Sequence, residues 1–294
     1  MNKNFKAGFV AIVGKPNVGK STLMNLVMGE KISIISPKPQ TTRHQIKGIF
    51  TDDERQIVFL DTPGFLKARY ELHNRMLEYL QNAIRDADVI LFITDAHHFP
   101  TDYDEQLLAF ISKFKKSKIA LLNKIDLVDE TTKDHKIDEL EEYKFDKIIA
   151  CCLTDKPDID SLLGEITNYL PYSPPFYSAD EISDLPMRFF VQEIIREQIF
   201  LNFRDELPYA TSVSVEEYKD LPNKVEIKAN LWLERKSQKP IIIGKNGEMI
   251  KRIRMASEKE IYNILKKRVK LTLWVKIKPN WRKKKNALKE FGYR

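Results

Sequence analysis

Five short, nearly unbroken apolar runs punctuate the first half of the chain, at residues 9–13, 57–60, 89–93, 119–122 and 148–150. Unbroken rather than alternating apolarity fits strands covered on both faces, as in a mostly parallel sheet. Longer amphipathic stretches at 69–85, 103–114 and 158–170 separate them and predict helices. Strand and helix in alternation give a doubly wound α/β domain over residues 1–170. Leu170-Pro171-Tyr172-Ser173-Pro174-Pro175 then interrupts the pattern, and residues 171–186 read as a linker. Beyond it the period changes. A helix at 187–203, strands at 210–218 and 224–235, two helices flanking 244–247 and a strand at 269–278 give the order α-β-β-α-α-β, an α+β domain over 187–294.

Charge sharpens this division. The chain of 294 residues has a formal charge of +7, but residues 187–294 hold 26 basic and 13 acidic side chains, and the rest hold 23 and 29. One half is suited to a polyanion and the other is not. No apolar run reaches the length of a membrane span. The first residues lack the apolar core of a secretion signal. The two cysteines, Cys151 and Cys152, are adjacent, which excludes a disulfide framework and favours small buried residues over a redox pair. These features predict a soluble cytoplasmic protein.

Candidate chemistry begins directly after the first strand. Gly14-Lys15-Pro16-Asn17-Val18-Gly19-Lys20-Ser21, followed by the helix-compatible Thr22, has the spacing of a phosphate-binding loop in its strand–loop–helix setting. Backbone N–H groups and a helix N-terminus would cradle phosphates there, Lys20 would reach the β- and γ-phosphates, and the Ser21 hydroxyl would ligate Mg²⁺. Asp61-Thr62-Pro63-Gly64 ends the second apolar run. It places a carboxylate near the metal and a glycine N–H near the γ-phosphate. Asn123-Lys124-Ile125-Asp126 follows the fourth run. Asp126 can accept from the paired donors of guanine, Lys124 can lie along the base and Asn123 can tie the loop to the phosphate loop; together these favour GTP over ATP.

In the basic half, Gly244-Lys245-Asn246-Gly247 stands between two helices, the Gly-x-x-Gly arrangement with which KH domains approach an RNA backbone. Ile243, Lys251 and Arg252 flank it as further RNA candidates, while Ile241–Ile243 and Ile250 are expected to pack the helices. The runs 266–268 and 281–285 suit a nucleic-acid backbone or a solvated surface equally. Trp274 reads as a core residue.

With Gln40-Thr41-Thr42-Arg43 between the first helix and the Asp61 strand, Glu193-Ile194-Ile195-Arg196-Glu197 and Leu273-Trp274-Val275-Lys276, the chain resembles the Era family of GTPases over nearly its whole length. The resemblance implies a P-loop G domain followed by a type II KH domain. It also implies GTP-dependent assembly of the small (30S) ribosomal subunit through binding near the 3′ end of 16S rRNA. Thr42, rather than Thr41, would close on Mg²⁺ and the γ-phosphate. Asn17 would help hold K⁺, offsetting developing charge where Phe65 replaces a water-orienting glutamine. The family has Ser-Ala where this chain has Cys152-Leu153; the Leu153 N–H would meet guanine O6, with its larger side chain bearing on the base. A monomer is implied, as is peripheral association with the inner face of the membrane. Two rivals remain from the residues alone, an RNA-binding switch with negligible turnover and a GTPase that uses its basic half on anionic lipid.

Overall fold

The computed structural model describes residues 4–66, 68–155 and 157–293. They form two compact units, one holding residues up to Ser33 with 42–66 and 76–184, the other holding 34–41, 68–75 and 185–293.

The first elements in chain order are β1 (Lys6–Val13), α1 (Lys20–Met28), β2 (Ile46–Thr51), β3 (Arg55–Asp61), α2 (Glu71–Asp86) and β4 (Val89–Asp95). They continue with α3 (Asp102–Ile111), β5 (Ser117–Asn123), α4 (Glu130–Glu141), β6 (Lys147–Ala150) and α5 (Ile159–Asn168). The sheet order is β2-β3-β1-β4-β5-β6, parallel except for β2. All five apolar runs are strands, and β4 is buried along its whole length, as continuous apolarity requires. The parallel register pairs Ile12 with Asp61, Val13 with Phe92 and Asp95 with Asn123. The loops that leave β1, β3 and β5 therefore open at one edge, where ligands of such sheets bind. The pattern missed β2, an edge strand whose last two residues are only half-buried, and the weakly amphipathic α4.

Residues 171–184 differ from a free linker. Gln56, fully buried on β3, accepts from the N–H groups of Phe176 and Tyr177 and donates to the Tyr177 carbonyl. Phe176 packs on Phe9 at 5.1 Å, and the Ile49 N–H donates to the Ile182 carbonyl. The prolines end the helix, as expected, but the segment is strapped along the first sheet.

The second unit contains α6 (Met187–Asn202), α7 (Leu207–Ala210), β7 (Ser212–Asp220), β8 (Lys224–Leu233), α8 (Lys239–Ile243), α9 (Glu248–Leu265), β9 (Arg268–Ile277) and α10 (Lys285–Glu290). β8 is central, antiparallel to β7 and parallel to β9. Val191, Ile195 and Ile199 of α6 and Ile253 and Ile261 of α9 pack with Val225, Ile227, Ala229, Leu231 and Leu233 of β8. Trp274 is not in this core; it is 43% exposed. Leu271, Leu273 and Val275 face the helices, and the pleat turns Trp274 to the opposite face with Lys270, Thr272 and Lys276. Trp281 is the buried tryptophan, donating from Nε1 to the Ala210 carbonyl and packing with Phe291 and Tyr293. The basic run 281–285 is thus anchored at its first residue, while Lys283, Lys284 and Lys285 are exposed. Ile242 is fully buried but Ile241 is 57% exposed, a correction to the packing expected of that triplet.

Gln56→Ala should cost about 2–3 kcal/mol in urea unfolding, because removing one side chain strands several partly buried backbone groups. Limited proteolysis should then cut first within 171–184. An unchanged cleavage pattern would contradict the strap.

Candidate functional site

The loop after β1 is shaped by close approach. A side chain at Gly14 would meet the Ile93 carbonyl at 2.2 Å, and one at Gly19 would meet Asn123 Nδ2 at 2.5 Å. Only glycine fits either place. Val18 is fully buried beneath the loop, Pro16 lies near Gly64, and Ser21 and Thr22 open α1 half-buried. Lys20 Nζ donates to the carbonyls of Gly14 and Lys15 at 2.8 and 2.7 Å. Burial lowers its amine to about 8, with the Asp61 carboxylate opposing the shift. An ammonium folded back on its own loop is poised to exchange carbonyls for phosphate oxygens.

Asp61 is fully buried at the tip of β3. Its Oδ2 accepts from Ser33 Oγ at 2.6 Å and Ser21 Oγ at 3.3 Å, whereas its Oδ1 is buried without a partner. Burial raises its carboxyl above the usual range despite these hydrogen bonds and Lys20. Ser21 Oγ and Thr42 Oγ1 lie 3.3 Å apart. Two hydroxyls and an orphaned carboxylate oxygen form a hard-oxygen donor set suited to a hydrated Mg²⁺, which also relieves the buried negative charge. Thr41 is turned elsewhere, its hydroxyl donating to the Lys38 carbonyl at 2.6 Å. Thr62 Oγ1 donates to the Ile12 carbonyl, fixing the turn through Pro63 to Gly64 on β1. Phe65 packs against Tyr103 and Phe110 and offers no polar group.

Asn123 braces three segments. Its Nδ2 donates to the Val18 carbonyl at 2.7 Å, and its Oδ1 accepts from the Leu153 N–H at 3.0 Å. Lys124, in the left-handed region at φ 60°, donates to the Asn17 carbonyl at 2.8 Å. Asp126 stands exposed in a short 3₁₀ turn. The Leu153 N–H expected at guanine O6 is committed to Asn123, and the Leu153 side chain is buried, with Cδ1 3.1 Å from a Cβ placed on Gly19. Its bulk therefore packs under the phosphate loop. Cys151 and Cys152 are half-buried rather than buried. Burial, reinforced by Cys152, pushes the Cys151 thiol up to about 12, which opposes thiolate chemistry.

Three contributors were invisible to motif reading. Ser33 bonds Asp61, and Asn25 holds the Ser33 backbone through both of its amide atoms. Lys15 is ion-paired with Asp104 at 3.0 Å and Asp95 at 3.5 Å, docking the start of α3 on the phosphate loop. In the second unit, fully buried Arg196 of α6 pairs with Glu193 and donates to the Thr41 carbonyl, while Lys38 donates to the Phe200 and Phe203 carbonyls and the Ile35 N–H donates to Glu197. The Gly-x-x-Gly loop of that unit, reached from Ile243, has Gly244 at φ 74° and Gly247 at φ 77°, with Asn246 left-handed between them. Lys245, Asn246, Lys251 and Arg252 are exposed around it.

Known proteins share both parts of this arrangement. Residues 9–124 match the family described as 50S ribosome-binding GTPase, and residues 206–282 match the KH domain family. GTPase Era of Halothermothrix orenii is 41% identical over 99% of this chain and 99% of its own. GTPase Era of Lacticaseibacillus paracasei is 42% identical over 98% and 96%. Two Era crystal structures superpose with a TM-score of 0.94 at 39% identity, covering 98% of this chain and 99% of theirs. One is a single-residue variant of the Aquifex aeolicus protein bound to GDP·AlF4⁻; the other holds MgGDPNP and nucleotides 1506–1542 of 16S ribosomal RNA.

Phosphate at Lys20 should raise its amine again, so nucleotide binding takes up a proton above the free value of about 8. Affinity should be level below that pH and fall as pH rises through it. Calorimetry at pH about 8.5 in buffers of unequal ionisation heat should give unequal binding heats; equal heats would contradict the assignment.

Proposed function

Because the chain belongs to the GTPase Era family, we propose that this GTPase couples its nucleotide state to binding of small-subunit rRNA during 30S assembly. The observation that carries the nucleotide half is Asp61, whose Oδ2 accepts from Ser21, next to Thr42, while its buried Oδ1 has no partner. In this reading residues 1–170 act as the G domain, 171–186 connect, and 187–294 act as the KH domain. Lys20 and the backbone of 14–21 hold phosphates, Ser21 and Thr42 ligate Mg²⁺ and Asp61 orients its water. The Gly64 N–H faces the γ-phosphate, and Asn123, Lys124 and Asp126 frame guanine. Mg²⁺ supplies charge neutralisation between the β- and γ-phosphates.

No side-chain base stands where Phe65 packs, so hydrolysis rests on charge stabilisation. Asn17, at φ 65° in the phosphate loop, is proposed as the residue through which K⁺ adds to it. The RNA partner is proposed to be the 3′ end of 16S rRNA, the region bound in the related complex. The exposed Lys245, Asn246, Lys251 and Arg252 support that reading. The grip of Arg196 on the Thr41 carbonyl, one residue before Thr42, supports coupling of the two activities. We place the protein in the cytoplasm as a monomer, with peripheral membrane contact as a further property; no described helix is long and apolar enough to cross a membrane.

Two measurements test this reading. Replacing Na⁺ by K⁺ should accelerate GTP hydrolysis, and Asn17→Ala should abolish the response while Mg²⁺-dependent GTP binding persists; equal rates in both salts would sink the K⁺ role. For RNA, Gly247 is the better probe, because a side chain there meets nothing within 4 Å, whereas one at Gly244 meets Met249 Cβ at 2.7 Å. Asn and Asp both tolerate left-handed backbone, so Gly247→Asn isolates shape and Gly247→Asp adds charge. The Asp variant should bind 16S rRNA at least about tenfold more weakly than the Asn variant. GTP hydrolysis should be unchanged in both. Equal RNA affinity would show that the loop is only a helix connector.

A further inference from the structure

Tyr103 carries a buried hydroxyl without a hydrogen-bond partner. It is the second residue of α3, whose first turn is closed by reciprocal hydrogen bonds between Thr101 and Asp104. Asp104 is fully buried and also accepts from Lys15 of the phosphate loop and from Thr94. The turn that holds Tyr103 is thus clamped to the phosphate loop from the residue beside it. Its ring meets Phe65 edge-on, centroids 6.0 Å apart at 87°. Its oxygen lies 3.1 Å from where a Cβ on Gly64 would stand, and Pro16 is the next neighbour of that point at 3.7 Å. Burial, with the Asp104 carboxylate adding to it, pushes the phenol above its usual range, so the hydroxyl keeps its proton to donate.

Orphaned buried polar groups are uncommon and tend to mark functional places. Asp61 Oδ1 is one, accounted for by the water of a metal ion. The Tyr103 hydroxyl is another, in the same unit and beside the glycine assigned to the γ-phosphate. The Gly64 N–H is assigned to phosphate, which leaves the Gly64 carbonyl as the acceptor on that turn for a neighbouring O–H.

We propose that Tyr103 is a positioning residue for hydrolysis: when GTP draws in the Asp61–Gly64 turn, the Tyr103 O–H donates to the Gly64 carbonyl and holds the turn closed. The role rests on the GTPase reading above. GDP has no γ-phosphate to draw Gly64 in, and with GTP the bond reaches its full strength only in the transition state, as charge develops on the γ-phosphate. Phe65 packs edge-on against the Tyr103 ring and helps to hold it beside Gly64.

Tyr103→Phe removes the oxygen and keeps the ring against Phe65. Its kcat for GTP hydrolysis should fall about tenfold, the value of one hydrogen bond made on the way to the transition state. KM and GDP affinity should stay within about twofold. Nucleotide-free protein should melt no lower than the parent, because an unpaired buried hydroxyl has been deleted. Gly64→Ala places a methyl against this oxygen, and its defect should combine with Tyr103→Phe less than additively. A Tyr103→Phe kcat within about twofold of the parent, or full additivity with Gly64→Ala, would overturn the proposal alone. A parent that binds GDP but does not turn over GTP would overturn it together with the GTPase reading.

Discussion

Asp61 is wholly buried, and burial raises its carboxyl although the bonds from Ser33 and Ser21 and the Lys20 ammonium oppose the shift. One oxygen is bonded by Ser21 and Ser33 and the other by nothing. A carboxylate kept so is costly, and the cost is recovered only when a hard cation arrives with its water. The neighbouring groups are in a similar condition. Lys20 is held by two carbonyls of its own loop and its amine is brought down to about 8. In the function proposed above, Mg²⁺-nucleotide would supply the complements of both Asp61 and Lys20 at once.

That condition is held by the scaffold. Parallel register delivers Asp61, Asp95 and Asn123 to one edge of the sheet. Asn123 then ties the phosphate loop to the segment after β6 with a single amide. Lys15, which motif reading treats as a variable position, fastens the start of α3 to the same loop. A substitution at Lys15 or Asn123 would therefore also loosen the segments that each side chain ties to the phosphate loop.

Most of the fold was legible because it rests on long periodic signals. The five core strands and the α-β-β-α-α-β order are carried by apolar periodicity that burial enforces. The phosphate loop, Asp61 and Asn123 were legible because backbone close approach and the need for particular donors fix residue types at fixed spacing. What escaped depends on partners distant in sequence. Ser33 has no local pattern, and although Lys15 and Arg196 lie in segments the sequence singles out, only the fold brings them to Asp104 and Thr41. Trp274 was misread by type although its position was readable: Leu271, Leu273 and Val275 set the buried parity, and Trp274 falls on the other. The bond from the Leu153 N–H to Asn123 likewise joins residues thirty apart, which no local pattern gives.

The second unit brings its own constraint. Residues 34–41 cluster with α6, held by Arg196, Glu197 and Lys38, and residue 42 continues directly to a hydroxyl beside Ser21. If Thr42 closes on a ligand as proposed, a chain held at Thr41 links that closure to α6, and the coupling must then be reciprocal. The most direct measurement is the affinity of a 16S rRNA 3′-end fragment for the protein loaded with a non-hydrolysable GTP analogue and with GDP, at one fixed salt concentration. The account predicts tighter binding with the analogue, and an equal gain in analogue affinity when RNA is present. Identical RNA affinity in the two nucleotide states would contradict it.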